Sequence, residues 1–299
     1  MRKLLVLALA LFALAALAAS CGGDEGEEPA APATTAAATT EADECAKENL
    51  ELVEAGQLTI ATDNPAFPPW FEGTEPQTPW DPTTEPTKKG YEAAVAYAVA
   101  EELGFSEDEV AWTVVPFDNV FKPGPKEFDF DMNQVSYSEE RDQALDFSDS
   151  YYDVEQAVVT LKSSEFAKAT SLAELKGAKL GAPVGTTSYD AIVETIQPDP
   201  KPAVFNTLND AITSLKNRGV DGIVVDFPST GFITAVQVPN ATTVGRLPAE
   251  GQEYFGLVFE EGNSLRDCAN KAIASLRESG RLDELAQEWI ESQAPPVLQ

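Results

Sequence analysis

The sequence predicts an α/β fold, mainly parallel sheets covered by helices, and three observations predict it. Short apolar or β-branched runs such as "LTIAT", "VAWTVVPF" and "GIVVD" alternate with helical segments along the body. Two of those segments carry their own punctuation, a Ser or Thr three residues before an acid at the start and a Gly at the stop. A chain of 299 residues is also long enough for one large core or for two lobes.

The amino end reads as an address. Arg2 and Lys3 precede an apolar run from Leu4 to Ala19, short for a transmembrane helix but of the length of a signal peptide's hydrophobic region, so residues 1–20 are expected to be a signal peptide. The run closes on Leu17-Ala18-Ala19-Ser20-Cys21, which resembles a bacterial lipobox and makes Cys21 the expected lipidation site. An ordinary signal peptide whose cleavage site adjoins a cysteine is the alternative. Residues 21–44 are rich in Gly, Glu and Asp and then in Ala, Pro and Thr. Such a composition cannot bury enough apolar surface to offset ordering entropy, and a disordered tether is expected.

The body then unfolds element by element. Leu58–Thr62 and Val110–Phe117 are predicted strands. Between them "YEAAVAYAVAEELG" sets Tyr91, Ala94, Val95, Ala98, Val99 and Leu103 at helical spacing and stops at Gly104. "SLAELKG" opens with Ser171 and Glu174 in capping-box spacing and closes at Gly177. "AKLGAPVG" reads as strand and turn, followed by a helix from about Ser188. "TLNDAITSLKNRG" repeats the helix pattern, Thr207 with Asp210 at its start and Gly219 at its stop, and Val220–Val225 follows as a buried strand. From Ser264 to Ser292 two helices are broken at Gly280, the second with an apolar face of Leu282, Leu285, Ala286, Trp289 and Ile290. Ligands of open α/β sheets sit at the carboxyl ends of strands, which singles out the loops after Thr62, Phe117, Asn133, Ala182 and Val225.

Composition removes several function classes. A formal net charge of -30 argues against nucleic-acid partners and against membrane binding through basic patches. The absence of histidine removes histidine acid–base catalysis, the Ser-His-Asp triad and most zinc sites, and no metal or cofactor is expected. With Cys21 assigned to lipid, Cys45 and Cys268 remain; in an exported chain they form a disulfide or stay as two buried thiols.

Five stretches carry a resemblance: "GYEAAVAYAVAEELG", "FDFDMNQVSYSEERDQALDFSDSYYDVEQAVV", "SLAELKGAKLGAPVGTTSYDAI", "GVDGIVVD" and "AIASLRESGRLDELAQEWI". In this order they resemble the extracytoplasmic amino-acid-binding proteins of ABC importers, the family 3 solute-binding proteins, over about Leu50 to Ile290. The resemblance implies a two-lobed periplasmic-binding-protein-like fold (type II), with the ligand cleft between lobes joined by two crossing strands. The crossings would fall near Asp153–Leu161 and Arg246–Tyr254, giving residues 45–155 plus 250–299 to lobe 1 and 156–249 to lobe 2. Lobe 1 would then hold both chain ends, as a Cys45–Cys268 pairing needs.

A free amino acid presents a carboxylate and an ammonium, so its receptor needs a cation and an anion a few ångströms apart. Arg141 matches the family's carboxylate-binding arginine; its planar fork suits a carboxylate, and it is expected to have no partner inside the protein. Pairing with Glu139, Glu140 or Asp142 is the plain alternative. Thr186 and Thr187 lie at a strand-to-helix turn after Gly185, where Thr187 would join the carboxylate clamp from the other lobe, unless the loop is only a capped helix start. Asp226 matches the aspartate that takes the ammonium, or else caps the turn Phe227-Pro228-Ser229. Ser136 stands where the family uses a hydroxyl and backbone, and Gln134 replaces a usually small residue. Phe67 and Phe117 match aromatic walls around the ligand side chain or are core residues, and Asp63 either meets a polar or cationic side chain or finishes its strand in a turn.

Three departures from the family stand out. Residues 72–89 form a long Pro/Thr/Glu-rich connection carrying Trp80, Pro123-Gly124-Pro125 falls where many relatives run a helix, and Ala94 replaces a frequent acid. The expected function is that of a monomeric, lipid-anchored extracytoplasmic receptor that binds an amino acid or close analogue and delivers it to an ABC permease in the membrane, and not an enzyme. The alternative is an exported dehydratase of the same fold acting on a prephenate-like acid.

Overall fold

The computed structural model describes residues 44–248, 253–290 and 297–299. The expected signal peptide, Cys21 and nearly all of the tether lie outside these residues.

Two five-stranded mixed sheets form the body. The first has the order β2 (Val110–Val114), β1 (Leu58–Thr62), β3 (Phe130–Asp131), β12 (Val258–Glu260), β4 (Leu145–Phe147). In it β1 pairs in parallel with β2 and β3, while β12 returns antiparallel to β3 and β4. The second has the order β10 (Ala241–Arg246), β6 (Gln156–Leu161), β9 (Gly222–Asp226), β7 (Leu180–Pro183), β8 (Ala203–Phe205). Here β7 is parallel to β8 and β9, but β6 is antiparallel to both its neighbours. The expected mainly parallel sheets are thus mixed, because β6 and β12 are the strands that follow the two crossings and enter their sheets from the opposite end.

The crossings run side by side. β5 (Tyr152–Asp153) pairs antiparallel with β11 (Tyr254–Phe255), Val154 N–H donates to the Glu253 carbonyl at 3.0 Å, and Leu247 N–H to the Gln156 carbonyl at 2.8 Å.

Helices bury the outer faces. In lobe 1, α1 (Tyr91–Glu102), α6 (Leu265–Glu278) and α7 (Arg281–Trp289) pack Val95, Val99, Ile273 and Leu285 onto Leu58 and Ile60. Gly280, at φ 80°, breaks α6 from α7 as the sequence predicts. α1 begins where Gly90 lets the chain press on the 70–71 backbone: a Cβ there would lie 2.4 Å from the Trp70 carbonyl oxygen. Cys45 and Cys268 are bonded sulfur to sulfur at 2.06 Å, tying the first described residues to α6. The 72–89 connection folds on the same lobe, with Trp80 stacked on Phe71 and against the edge of Trp112.

Lobe 2 departs from expectation in detail. "SLAELKG" makes only a short 3-10 turn, Leu172–Leu175, and Glu174 accepts from Thr170 N–H rather than completing a box with Ser171. The helix after Gly185 is α3 (Thr187–Asp190), continued by a π-helical turn over Ala191–Ile196. α4 (Leu208–Lys216) is capped by Thr207, whose hydroxyl accepts from Asp210 N–H at 3.1 Å. β2 ends at Val114 instead of Phe117, because Pro116 opens the short helix α2 (Phe117–Val120).

The lobe boundaries need one correction. Leu298, buried in the core of lobe 2, donates its N–H to the Arg246 carbonyl at 2.8 Å, and Gln299 exchanges backbone hydrogen bonds with Thr170 and Leu172. The last three residues therefore belong to lobe 2 and not, as 250–299 would have it, to lobe 1. A buried leucine beside a free strand edge explains the docking.

Candidate functional site

Five loop ends converge between the sheets. β3 ends at Asp131, and the chain reaches Ser136 and then Arg141 on a 3-10 turn, Arg141–Gln143. β7 leads through Gly185, at φ 70°, to Thr186 and Thr187; β9 ends on Asp226. The second crossing brings in Glu253, and the first opens β6 with Gln156.

Arg141 spans the cleft. Its Nη1 donates to the Ser136 carbonyl at 2.5 Å and its Nη2 to the Gly185 carbonyl of lobe 2 at 2.8 Å. The guanidinium lies 4.6 Å from the Phe121 ring centre and 5.8 Å from that of Phe117. Burial lowers its pKa, while Asp190, Glu253, Asp226 and Glu140 act in the opposite direction. The expectation of no internal partner is therefore half right. Among the described residues no carboxylate is within ion-pair distance of Arg141, yet two of its N–H groups are spent on carbonyls, since a half-buried guanidinium with five donors needs acceptors.

Opposite it is a hydrogen-bonded acidic centre. Gln156 Nε2 donates to Asp226 Oδ1 at 2.8 Å and reaches both carboxylate oxygens of Glu253 at 3.2 Å. Ser188 Oγ fixes the amide by donating to Gln156 Oε1 at 2.7 Å. Ser136 Oγ donates to Glu253 Oε1 at 2.7 Å and stands 3.4 Å from Thr187 Oγ1, which is itself 3.4 Å from Gln156 Nε2. Asp226 is pushed up to about 7, first by burial of its carboxyl and then by the like charge of Glu253, with the Gln156 bond pulling the other way.

The other expected residues divide. Thr186 acts as a cap: its hydroxyl accepts from Tyr189 N–H at 3.3 Å and donates to the Pro183 carbonyl at 2.9 Å. Phe67 meets Phe232 of lobe 2 with ring centres 6.2 Å apart, and beside it Trp70 Nε1 donates to Ser229 Oγ at 3.0 Å, so the lobes also touch here. Phe117 is half-buried against Phe121 and Arg141. Asp63 accepts from the Asn64 and Phe117 N–H groups, which favours its turn role, although burial still raises its pKa.

Gln134 turns toward lobe 1. Its φ is 50°, its backbone N–H donates to Glu92 Oε1 at 2.8 Å, and its side-chain amide donates to Glu92 Oε2. The Tyr151 hydroxyl donates to the same carboxylate. Burial raises Glu92 to about 7 while these donors pull it down. Glu92, Gln156 and Glu253 escape the sequence reading. Only the crowding of acids around the second crossing could have hinted at Glu253.

A concavity of 590 Å³ lies elsewhere, lined by Tyr91, Tyr152, Glu155, Phe227, Arg246 and Arg277 among others, and contains none of the Arg141–Asp226 constellation. The chemistry, a guanidinium and carboxylates facing each other between two lobes, marks the cleft instead.

Two α/β lobes, paired crossing segments and a charged interlobe cleft define the architecture of a two-lobed solute-binding protein. Residues 58–292 match the model of the bacterial extracellular solute-binding proteins, family 3, and the chain belongs to that family. It is 26% identical over 210 residues to a probable histidine-binding protein of Neisseria gonorrhoeae, covering 68% of this chain and 75% of that one. It is 23% identical over 205 residues to the arginine-binding extracellular protein ArtP of Bacillus subtilis, covering 67% and 77%. Among solved structures, an ancestral arginine-binding protein bound to arginine superimposes with a TM-score of 0.63 at 26% identity, over 78% of this chain and 98% of that one.

Proposed function

We propose that this protein is the extracytoplasmic amino-acid receptor of an ABC importer, held at the membrane by lipid on Cys21 and acting as a monomer. One observation carries the reading: the Arg141 guanidinium bonds the Ser136 and Gly185 carbonyls across the cleft, while Ser136 Oγ and Gln156 Nε2 bond Glu253 and Gln156 Nε2 also bonds Asp226, so that a cation and carboxylates line one interlobe cleft as a zwitterion requires. Arg141, with Thr187, takes the ligand's carboxylate, and Ser136 lines the cleft beside them with its hydroxyl on Glu253. Asp226 takes its ammonium, and Phe67 and Phe117 wall the side chain. Closure brings Gly185 and Asp226 onto the lobe 1 groups, so that only the closed form offers the complete site to the permease. The relatives named above support an amino-acid ligand.

Calorimetric titration tests this. The protein, unfolded and refolded to strip carried-over ligand, is titrated with the standard L-amino acids, L-cystine, and des-amino and decarboxylated analogues. Binding near micromolar that needs both charged groups is the expected result. No binding across the panel, together with turnover of prephenate, would replace the receptor by the enzyme.

A further inference from the structure

We propose that Glu253, carried on the second crossing segment, is a specificity-determining residue that offers the ligand's ammonium a second carboxylate beside Asp226, and so selects ligands whose ammonium is unalkylated. The inference rests on the receptor reading and deepens it.

The geometry is that of a shared acceptor set. One nitrogen, Gln156 Nε2, lies within hydrogen-bond reach of Asp226 Oδ1 at 2.8 Å and of both Glu253 oxygens at 3.2 Å. The two carboxylates are therefore close enough for a single nitrogen to bridge. Among the described residues their donors are neutral, the Gln156 amide and the Ser136 hydroxyl, and no lysine or arginine pairs with either. Arg141 aims its two bonded nitrogens at the Ser136 and Gly185 carbonyls. Two like charges served by one amide favour a cation, and a primary ammonium brings a full charge and three N–H donors. Asp226, Glu253 and the Ser136 oxygen supply three acceptors. A trimethylated nitrogen presents no N–H and leaves all three unmet. Because Glu253 lies on the crossing, its contact with ligand also ties occupancy to the crossing segment itself.

The pH response follows. Asp226 feels the charges of Glu253, Glu92 and Arg141 and must be ionised to hold a cation; its value of about 7 makes affinity rise with pH through neutrality. Removing the Glu253 charge takes away a like neighbour, so the midpoint moves to lower pH. Glu92 titrates in the same range but is common to both proteins, so the difference between them reports Asp226.

Titration calorimetry of the full chain and of Glu253→Gln, from pH 5 to 9, tests this with each binding L-amino acid and its Nα-trimethyl counterpart. The expected result is a loss of about ten-fold or more in affinity for the amino acid in Glu253→Gln. Its pH midpoint is lower, the wild type discriminates against the trimethyl form, and the apo melting temperature is not reduced. Glu253→Asp, which keeps the charge, should lose less and keep the wild-type midpoint. If the wild type binds and Glu253→Gln matches it in affinity and midpoint, or Glu253→Asp loses as much, the inference falls and the receptor reading stands. If the wild type binds no amino acid, both fall.

Discussion

Two carboxylates of this protein are pushed up to about 7, Glu92 in lobe 1 and Asp226 at the cleft, and they are housed differently. Glu92 is fully enclosed and takes donors from Gln134 twice and from Tyr151, all within its own lobe. Asp226 has the Gln156 amide as a side-chain donor and a second acid nearby. The same shift thus marks a structural tie in one place and, on the proposed function, a reserved acceptor in the other. A raised pKa identifies function only when the group's hydrogen-bonding capacity is left open.

The largest effect that would break this contrast is on folding. Glu92→Ala leaves the Gln134 N–H and Tyr151 hydroxyl buried without their acceptor, and should cost about 3 kcal/mol or more of stability in a urea melt. Asp226→Ala should not lower the melt, and at neutral pH should raise it by removing a buried carboxylate; a large loss there would make Asp226 structural too.

Binding gives the next effect. Arg141→Ala and Asp226→Ala should each weaken amino-acid affinity by at least about 2 kcal/mol, roughly thirty-fold, as for truncating one partner of a desolvated charge pair. Calorimetry with des-amino analogues sharpens the point. The analogue should bind Asp226→Ala and wild type alike, but bind Arg141→Ala more weakly.

The third effect is spread over pH as a slope. A carboxyl with a folded pKa of about 7 binds more protons in the folded state than in the unfolded chain, so its contribution to stability is present at low pH and is lost as pH rises from the unfolded value toward 7. Between about pH 4.5 and 7 the apo protein should lose a few kcal/mol from the two groups together. Glu92→Gln should flatten that slope with or without ligand. Asp226→Asn should flatten it only without ligand, because a bound ammonium already keeps Asp226 ionised. Denaturant melts across that range decide between them.

Much of the fold was legible because its signals are local. Gly280, the Thr207 cap and the β-branched run before Asp226 each act within a few residues. The buried face of α1 was less so: "YEAAVAYAVA" is apolar almost all round, and periodicity placed Ala94 inside without finding Glu92. The candidate site was half legible. Arg141, Thr187, Ser136 and Asp226 sit in motifs, and the structure brings them together. Glu253 meets Ser136 over a separation of 117 residues and Gln156 over 97, and no short-range pattern encodes such a meeting.

The docking of Leu298 and Gln299 on lobe 2, against the anchoring of Cys45 on lobe 1, puts the two ends of the folded body on different lobes. A donor and an acceptor dye attached near residues 46 and 299 would sit astride the hinge. Their energy transfer would read out each capture event without touching the cleft, and a bulky fusion at the carboxyl end would ride on the lobe that carries Asp226.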